Sequence, residues 1–164
     1  MKAKPKKKKT EKPAERTVAQ NRAASYNYHL LEKYEAGMVL LGTEVKALRE
    51  GKAGLRDAYA TVRRDGVWLI NCHIAQYLPG GPFNHEPLRP RKLLLNEHEI
   101  AKLGGKTQQK GLTLIPLRIY FRDGIAKCEI ALARGKKQYD RRQTEREKEA
   151  RREASEAIYR YRRR

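Results

Sequence analysis

LTLIPLRIYFRDGIAKCEIALAR, residues 112–134, decides the fold. Ile115, Leu117, Ile119 and Phe121 alternate with Pro116, Arg118, Tyr120 and Arg122, the period of two expected of a strand with one buried face. Asp123-Gly124 tolerates the positive backbone angles of a tight hairpin turn, and Ala126, Cys128, Ile130 and Leu132 supply the matching apolar face on the return. A second hairpin is predicted from Tyr59 to Arg64, through Asp65-Gly66, and from Val67 to Ile74, with Trp68, Ile70, Cys72 and Ile74 sharing a face. Both cysteines then fall on buried faces, and without Cys-x-x-Cys spacing neither a disulfide framework nor a zinc cluster is suggested.

Outward from the hairpins, the segments are shorter. Thr17 to Ser25 reads as a short helix, and Tyr28 to Glu35 and Met38 to Leu41 as two strands separated by Ala36 and Gly37. Thr43 is placed to cap a helix through Glu50, with Val45 and Leu48 on one face and Gly51 ending it. Asn96 and Glu99 have the spacing of a capping box, flanked by Leu95 and Ile100 as a hydrophobic staple, for a helix from Glu97 to Leu103 stopped by Gly104-Gly105. Pro79 to Pro90 is a surface loop. Together these predict a mainly β fold with small α-helices, an antiparallel closed or nearly closed barrel, of which the oligonucleotide-binding (OB-type) barrel is one solution to the exposed-edge problem.

Lysine and arginine number 38 against 19 acidic residues, for a net charge of +19. Residues 1–16 and 135–164 each carry +6, so the chain is expected to attract a polyanion at both ends, nucleic acid first. The 1–16 arm, with its Lys6 to Lys9 run, has too little apolar material to order itself. Residues 17–134 make the barrel. The tail, 135–164, has alternating charge, including Glu147 with Arg151 and Arg152 with Glu156, and a thin stripe of Ala150, Ala154, Ala157, Ile158 and Tyr161. It is expected to be loose alone and helical in a negatively charged channel. No apolar run suits a bilayer or a secretory signal, and no wide apolar face suits a lipid surface, which predicts a soluble, intracellular protein with no membrane partner.

His29, His73, His85 and His98 lack metal-ligand spacing, and no phosphate-binding Gly-rich loop is present, so neither metal nor cofactor is expected. A nuclease would have to use His85 with Glu86 or His98 with Glu99, pairs joined only by adjacency; a non-enzymatic binder is expected instead. A general single-strand RNA-binding or ribosomal protein is the alternative, with Tyr59, Trp68 and Tyr120 as stacking candidates, although Trp68 is expected in the core.

Tyr34-Glu35-Ala36-Gly37, Gly42-Thr43-Glu44-Val45-Lys46-Ala47-Leu48-Arg49 and Gly51-Lys52 resemble the first signature block of the SmpB family. Asn71 with His73-Ile74, Asn84-His85, Arg91-Lys92-Leu93-Leu94-Leu95 and Gly135-Lys136-Lys137-Gln138-Tyr139-Asp140-Arg141-Arg142 follow in the family's order. The resemblance spans roughly Asn21 to Arg142, with arginine at 141 where a lysine is common. It implies an OB-type barrel with flanking helices that binds the tRNA-like domain of transfer-messenger RNA, and a tail that enters the decoding centre and empty message channel of a stalled ribosome, against small-subunit rRNA, in the cytoplasm. By the same resemblance Asn21, Arg22 and Glu35 recognise RNA, with Lys46, Arg49, Lys52, Arg91 and Lys92 added as basic motif residues. Lys136, Lys137, Tyr139, Asp140, Arg141 and Arg142 would act near the decoding centre, and Ile158 and Tyr159 would settle the tail in the channel.

Overall fold

β8 (Leu112–Arg122) and β9 (Ile125–Gly135) form the predicted hairpin, and Asp123 and Gly124 take φ values of 52° and 78° at its turn. The computed structural model describes residues 15–162. β2 (Tyr28–Met38) runs antiparallel along β9, and its end pairs with β7 (Arg91–Leu94). β5 (Gly66–Ile70) joins β7 to β4 (Tyr59–Arg63), and β4 returns to β8 where Ala60 faces Leu114. Six strands therefore close into an antiparallel ring, and β1 (Glu15–Gln20) lies on the remaining edge of β8. β3 (Ala53–Gly54) and β6 (His73–Ile74) make a small separate ladder.

The inside of the ring is apolar: Leu69, Leu93, Leu114, Ile119, Cys128, Ile130 and Leu132 are buried there. Each large aliphatic side chain contributes about 1.5–3 kcal/mol by leaving water. α2 (Gly42–Arg49) adds Ala47 and Leu48 to the same core, and α3 (Glu97–Thr107) adds Leu103. α1 (Ala24–Asn27) and α4 (Gln138–Arg162) lie outside it.

Several elements differ from the sequence reading. Thr17 opens no helix: residues 15–20 pair with β8 because Val18 and Ala19 pack on the core, and only Ala24–Asn27 is helical. Glu15 and Arg16 thus belong to the sheet, while residues 1–14 of the predicted disordered arm lie outside the described residues. Ala36-Gly37 does not break β2; Ala36 is buried, and a Cβ on Gly37 would stand 3.4 Å from Leu94 Cβ, so the small residues admit the neighbouring strand. Leu41, not Thr43, is the N-cap of α2, its N–H donating to Glu44 Oε2 at 2.7 Å. α3 continues through Gly104-Gly105 to Thr107, because helical hydrogen bonding and the burial of Leu103 outweigh the cost of glycine. The β4–β5 hairpin turns at Arg64-Asp65, one residue early.

The predicted single face of Trp68, Ile70, Cys72 and Ile74 is split. Val67 and Leu69 point inward, so Trp68 and Ile70 point outward, and Asn71 at φ 55° shifts the phase so that Cys72 and Ile74 turn back into the core. Tyr120, read from the sequence as a stacking candidate, is in turn buried.

Candidate RNA interface

Where β1 ends, the Asn21 N–H donates to Leu117 O at 2.8 Å and its Nδ2 to Pro116 O at 3.3 Å. Proline lacks an N–H and the β8–β9 register shifts between Pro116 and Arg118, so these carbonyls are available to hold the turn. With Nδ2 engaged, the Asn21 amide oxygen is left to accept from an incoming donor. Arg22 beside it is exposed. A cleft lined by Asn21, Arg22, Lys33, Arg118 and Glu129 links this turn to the outer face of β2, β9 and β8.

On that face Glu35 accepts hydrogen bonds from Tyr120 Oη and Lys127 Nζ and pairs with Arg122 at 2.8 Å. Arg122 also pairs with Glu15, Glu15 with Arg118 at 3.1 Å, Arg118 with Glu129 at 2.6 Å, and Glu129 with Lys33 at 3.3 Å. The strand register places Glu35 directly opposite Glu129, and the cations on either side offset that repulsion. The Arg118 guanidinium lies 4.4 Å from the centroid of the Tyr120 ring and that of Arg122 5.5 Å away. Lys127 and then Tyr120 hold the Glu35 carboxyl below the usual carboxylate range. Burial, then Glu35, pushes the Tyr120 phenol up to about 12, so it remains a donor at neutral pH. Glu35 is therefore a hub that fixes Arg122 and Lys127 at the surface, while Glu15 and Glu129 fix Arg118 beside them.

Sequence reasoning found Glu35 but not Arg118, Arg122, Lys127 or Glu129. The signal was in the Asp123-Gly124 turn: the register it sets places Arg118 against Glu129 and Tyr120 against Lys127.

Arg91 is no surface contact. It is 0% exposed, its Nε donates to Glu44 Oε1 at 2.9 Å, Nη2 to Pro87 O at 2.9 Å and Nη1 to Cys72 O. Arg89 donates to both Glu44 oxygens at 2.8 and 2.5 Å. This triad, with Glu44 and Arg91 buried and Arg89 partly so, holds the 71–90 segment against α2. Asn84 binds the N–H and carbonyl of Tyr77, and His85, nearly fully buried, bridges Thr43 Oγ1 at 2.9 Å and Ile74 O at 3.0 Å. The predicted surface loop thus carries an internal frame, and His85 is closed to any RNA substrate. Glu99 accepts from the Asn96 N–H at 3.1 Å at the start of α3.

Lys46 and Arg49 lie exposed on α2, Lys46 with Nζ 5.2 Å from the Tyr77 ring centroid; Lys52 pairs with Glu50 at 2.8 Å. They belong to the α2 side, and none is bonded to the Glu35 cluster. Lys92 sits half-buried on β7, near Asp65.

Its root fastens α4 to the rest of the chain. Lys136 donates from its backbone to Asn27 O and from Nζ to Ser25 O, both at 2.9 Å; His29 Nε2 meets Asp140 Oδ2 at 3.5 Å; Tyr26 Oη donates to Glu145 at 2.9 Å. Asp140 Oδ2 also accepts the Lys137 N–H at 3.2 Å. Lys137, Tyr139, Arg141 and Arg142 are exposed here, and from Glu145 to Tyr161 every side chain is exposed, Ile158 and Tyr159 included. Among the described residues no group of histidines, cysteines and carboxylates could hold a metal ion, and no helix is long and apolar enough to cross a membrane.

Residues 18–160 match the family model described as SmpB protein. An SsrA-binding protein of Desulforudis audaxviator is 57% identical over 143 residues, 87% of this chain and 94% of the relative. One of Thermobifida fusca is 54% identical over 157 residues, covering 96% and 98%. A chain of the solved structure "tmRNA-SmpB: a journey to the center of the bacterial ribosome" superposes with a TM-score of 0.62 at 50% identity, over 73% of this chain and 84% of that one.

Proposed function

Because the chain belongs to the SmpB protein family, we propose that it is the protein partner of transfer-messenger RNA, binding its tRNA-like domain and carrying it to stalled ribosomes for trans-translation. The observation that carries this reading is the half-identical chain of the tmRNA-SmpB structure, matched over 73% of this chain and 84% of that one. The general single-strand binder is not favoured, since relatives named SsrA-binding protein match almost end to end. The work is done by binding, in the bacterial cytoplasm where the ribosome is.

Asn21, Arg22 and the Glu35 cluster form the face for the tRNA-like domain. Phosphates are met by Arg122 and Lys127, which Glu35 holds in place, and by Arg118, held by Glu15 and Glu129, while Asn21 is free to accept from a base or ribose donor. Lys46, Arg49, Lys52 and Lys92 add charge, and Arg91 acts from within by shaping the 71–90 segment. The tail supplies the ribosomal contact: Lys136, Lys137, Asp140, Arg141 and Arg142 near the decoding centre, Tyr139 stacking on an rRNA base, and Ile158 and Tyr159 in the message channel.

Binding of the full chain to the tRNA-like fragment, with excess ordinary tRNA as competitor over a salt series, tests the first half. Retained affinity under competition is expected; equal displacement by tRNA would refute it. A chain ending at residue 137, which keeps β9 and the Lys136 anchor, is expected to bind the fragment near physiological salt yet fail to support tagging on stalled ribosomes. Tagging by that chain would refute the role of the tail.

A further inference from the structure

One outward face of the ring is taken up neither by the Glu35 cluster nor by the tail. On β5, Trp68 points away from the core between inward Val67 and Leu69, and its cross-strand neighbours are Thr61 on β4 and Lys92 on β7. Asp65 accepts the indole N–H at 3.0 Å, which fixes the ring in its plane, and lies 3.9 Å from Lys92 Nζ. A Cβ on Gly66 would stand 3.2 Å from Lys92 Cε, so the lysine stem lies along the turn beside the ring. The Arg63 guanidinium carbon is 5.4 Å from the ring centroid, and Arg63 makes no ion pair among the described residues. Arg64 is exposed at the turn, so the hairpin and its β7 neighbour bring three cations to this face with one carboxylate, Asp65, at the ring.

In the ring order, β5 lies three strands from β9 in either direction, which puts this face on the side of the barrel away from the centre of the Glu35 cluster. Its row of three strands spans about 10 Å, at roughly 4.8 Å per strand, room for one or two nucleotides. A fixed aromatic plane with cations beside it, and with its one carboxylate neighbour, Asp65, engaged by the indole N–H, suits a base and its phosphates. Stacking on such a plane is open to an unpaired base, whereas a paired helix presents only its backbone.

We propose that the outer face of β4, β5 and β7, centred on Trp68, binds a single RNA strand, one unpaired base stacking on the indole while Arg63 and Lys92 meet its phosphates. Arg63 now occupies the place over the ring that the base would take, and on binding it swings to the adjacent phosphate, which exchanges its ring contact for an ion pair. This site goes beyond the tRNA-like domain contact and shares only Lys92 with it.

Trp68 is the only tryptophan, so the full chain reports on itself. Titration with a short labelled oligouridylate is expected to quench Trp68 emission in step with the rise in anisotropy of the label. Trp68→Ala should weaken that binding about 5- to 150-fold, Trp68→Phe should retain most of it, and Arg63→Gln should flatten the salt dependence by about 0.7 in log–log slope. Circular dichroism of each variant checks the fold, and binding of the tRNA-like fragment should stay within about twofold of the parent, which separates this site from the Glu35 face. Oligouridylate binding without quenching, or with equal loss in the Ala and Phe variants, would overturn the proposal. So would an emission shift that grows with protein concentration in the absence of RNA, which would assign the face to a second copy of the chain.

Discussion

Replacing Glu44 by glutamine removes one negative charge from a site with 0% exposure while nearly preserving its volume. Four donors converge on this carboxylate: the Leu41 N–H, Arg89 Nε and Nη2, and Arg91 Nε. Arg91 is itself 0% exposed, so Glu44→Gln leaves a guanidinium in the core whose remaining partners, Cys72 O and Pro87 O, are neutral. Breaking a buried pair in this way costs about 3–5 kcal/mol, against a total stability of roughly 5–15 kcal/mol for a domain. With a urea slope of about 2 kcal/mol per molar, the midpoint should fall by about 1.5–2.5 M. Glu44→Leu with Arg91→Met removes both charges and should cost less than the sum of the single changes. Urea unfolding followed by circular dichroism measures both. A fall of less than about 0.5 M for Glu44→Gln, or a double variant as unstable as the summed singles, would refute the view that Arg91 depends on Glu44.

Acid should unfold the protein through the same groups. Burial pushes the Glu44 carboxyl up, but Arg89, the Leu41 N–H and Arg91 outweigh it and hold it below its ordinary 4.5; Lys106, then Tyr34 and Lys102, hold Glu32 at about 2. These carboxylates bind protons more readily in the unfolded chain, so their stabilisation is complete above 4.5 and is lost as pH falls toward 2; thermal midpoints constant from pH 5 to 3 would contradict this. Tyr120→Phe deletes the donor to Glu35 and should cost about 1 kcal/mol of stability and several-fold in affinity for the tRNA-like fragment; unchanged affinity would remove Glu35 from RNA positioning. Burial pushes the Cys72 thiol up to about 11 and the Cys128 thiol higher still, so a thiol-reactive dye should label neither until urea unfolds the chain; labelling in native buffer would place them at the surface.

The strongest periodicities carried most of the fold. Alternation over residues 112–134 placed β8, β9 and their turn, and Ala126, Cys128, Ile130 and Leu132 are all buried as read. The failures cluster where one residue changes the phase or where small residues serve contact and not flexibility. A positive φ at Asn71 cannot be seen in an alternation count, yet it moves Trp68 from core to surface. Ala36-Gly37 and Gly104-Gly105 have the composition of breaks, but one lies against Leu94 in a sheet and the other in a helix whose neighbour Leu103 is buried. Arg91 looked like a basic motif residue because the sequence holds no sign that its partner is Glu44, 47 positions earlier.

The two halves of the proposed RNA interface differ in how their charge is prepared, and that difference sets how each should respond to change. Around Glu35, four cations and three carboxylates are already interlocked, so the net charge is small but the arginines and lysine stand where a phosphate would meet them. Holding a long side chain in place before binding avoids an ordering cost of about 0.5–1.5 kcal/mol for each. A phosphate arriving at Arg118 competes with Glu15 and Glu129, which rewards a ligand of matching shape over one that is merely charged. On α4, Arg141 and Arg142 are exposed beyond a root held by Lys136, Asp140 and Tyr26, and the affinity proposed for them would come mainly from released counterions. Neutralising a cation of the barrel face should therefore reduce discrimination between the tRNA-like fragment and ordinary tRNA, whereas neutralising Arg141 or Arg142 should lower the salt slope and leave that discrimination intact.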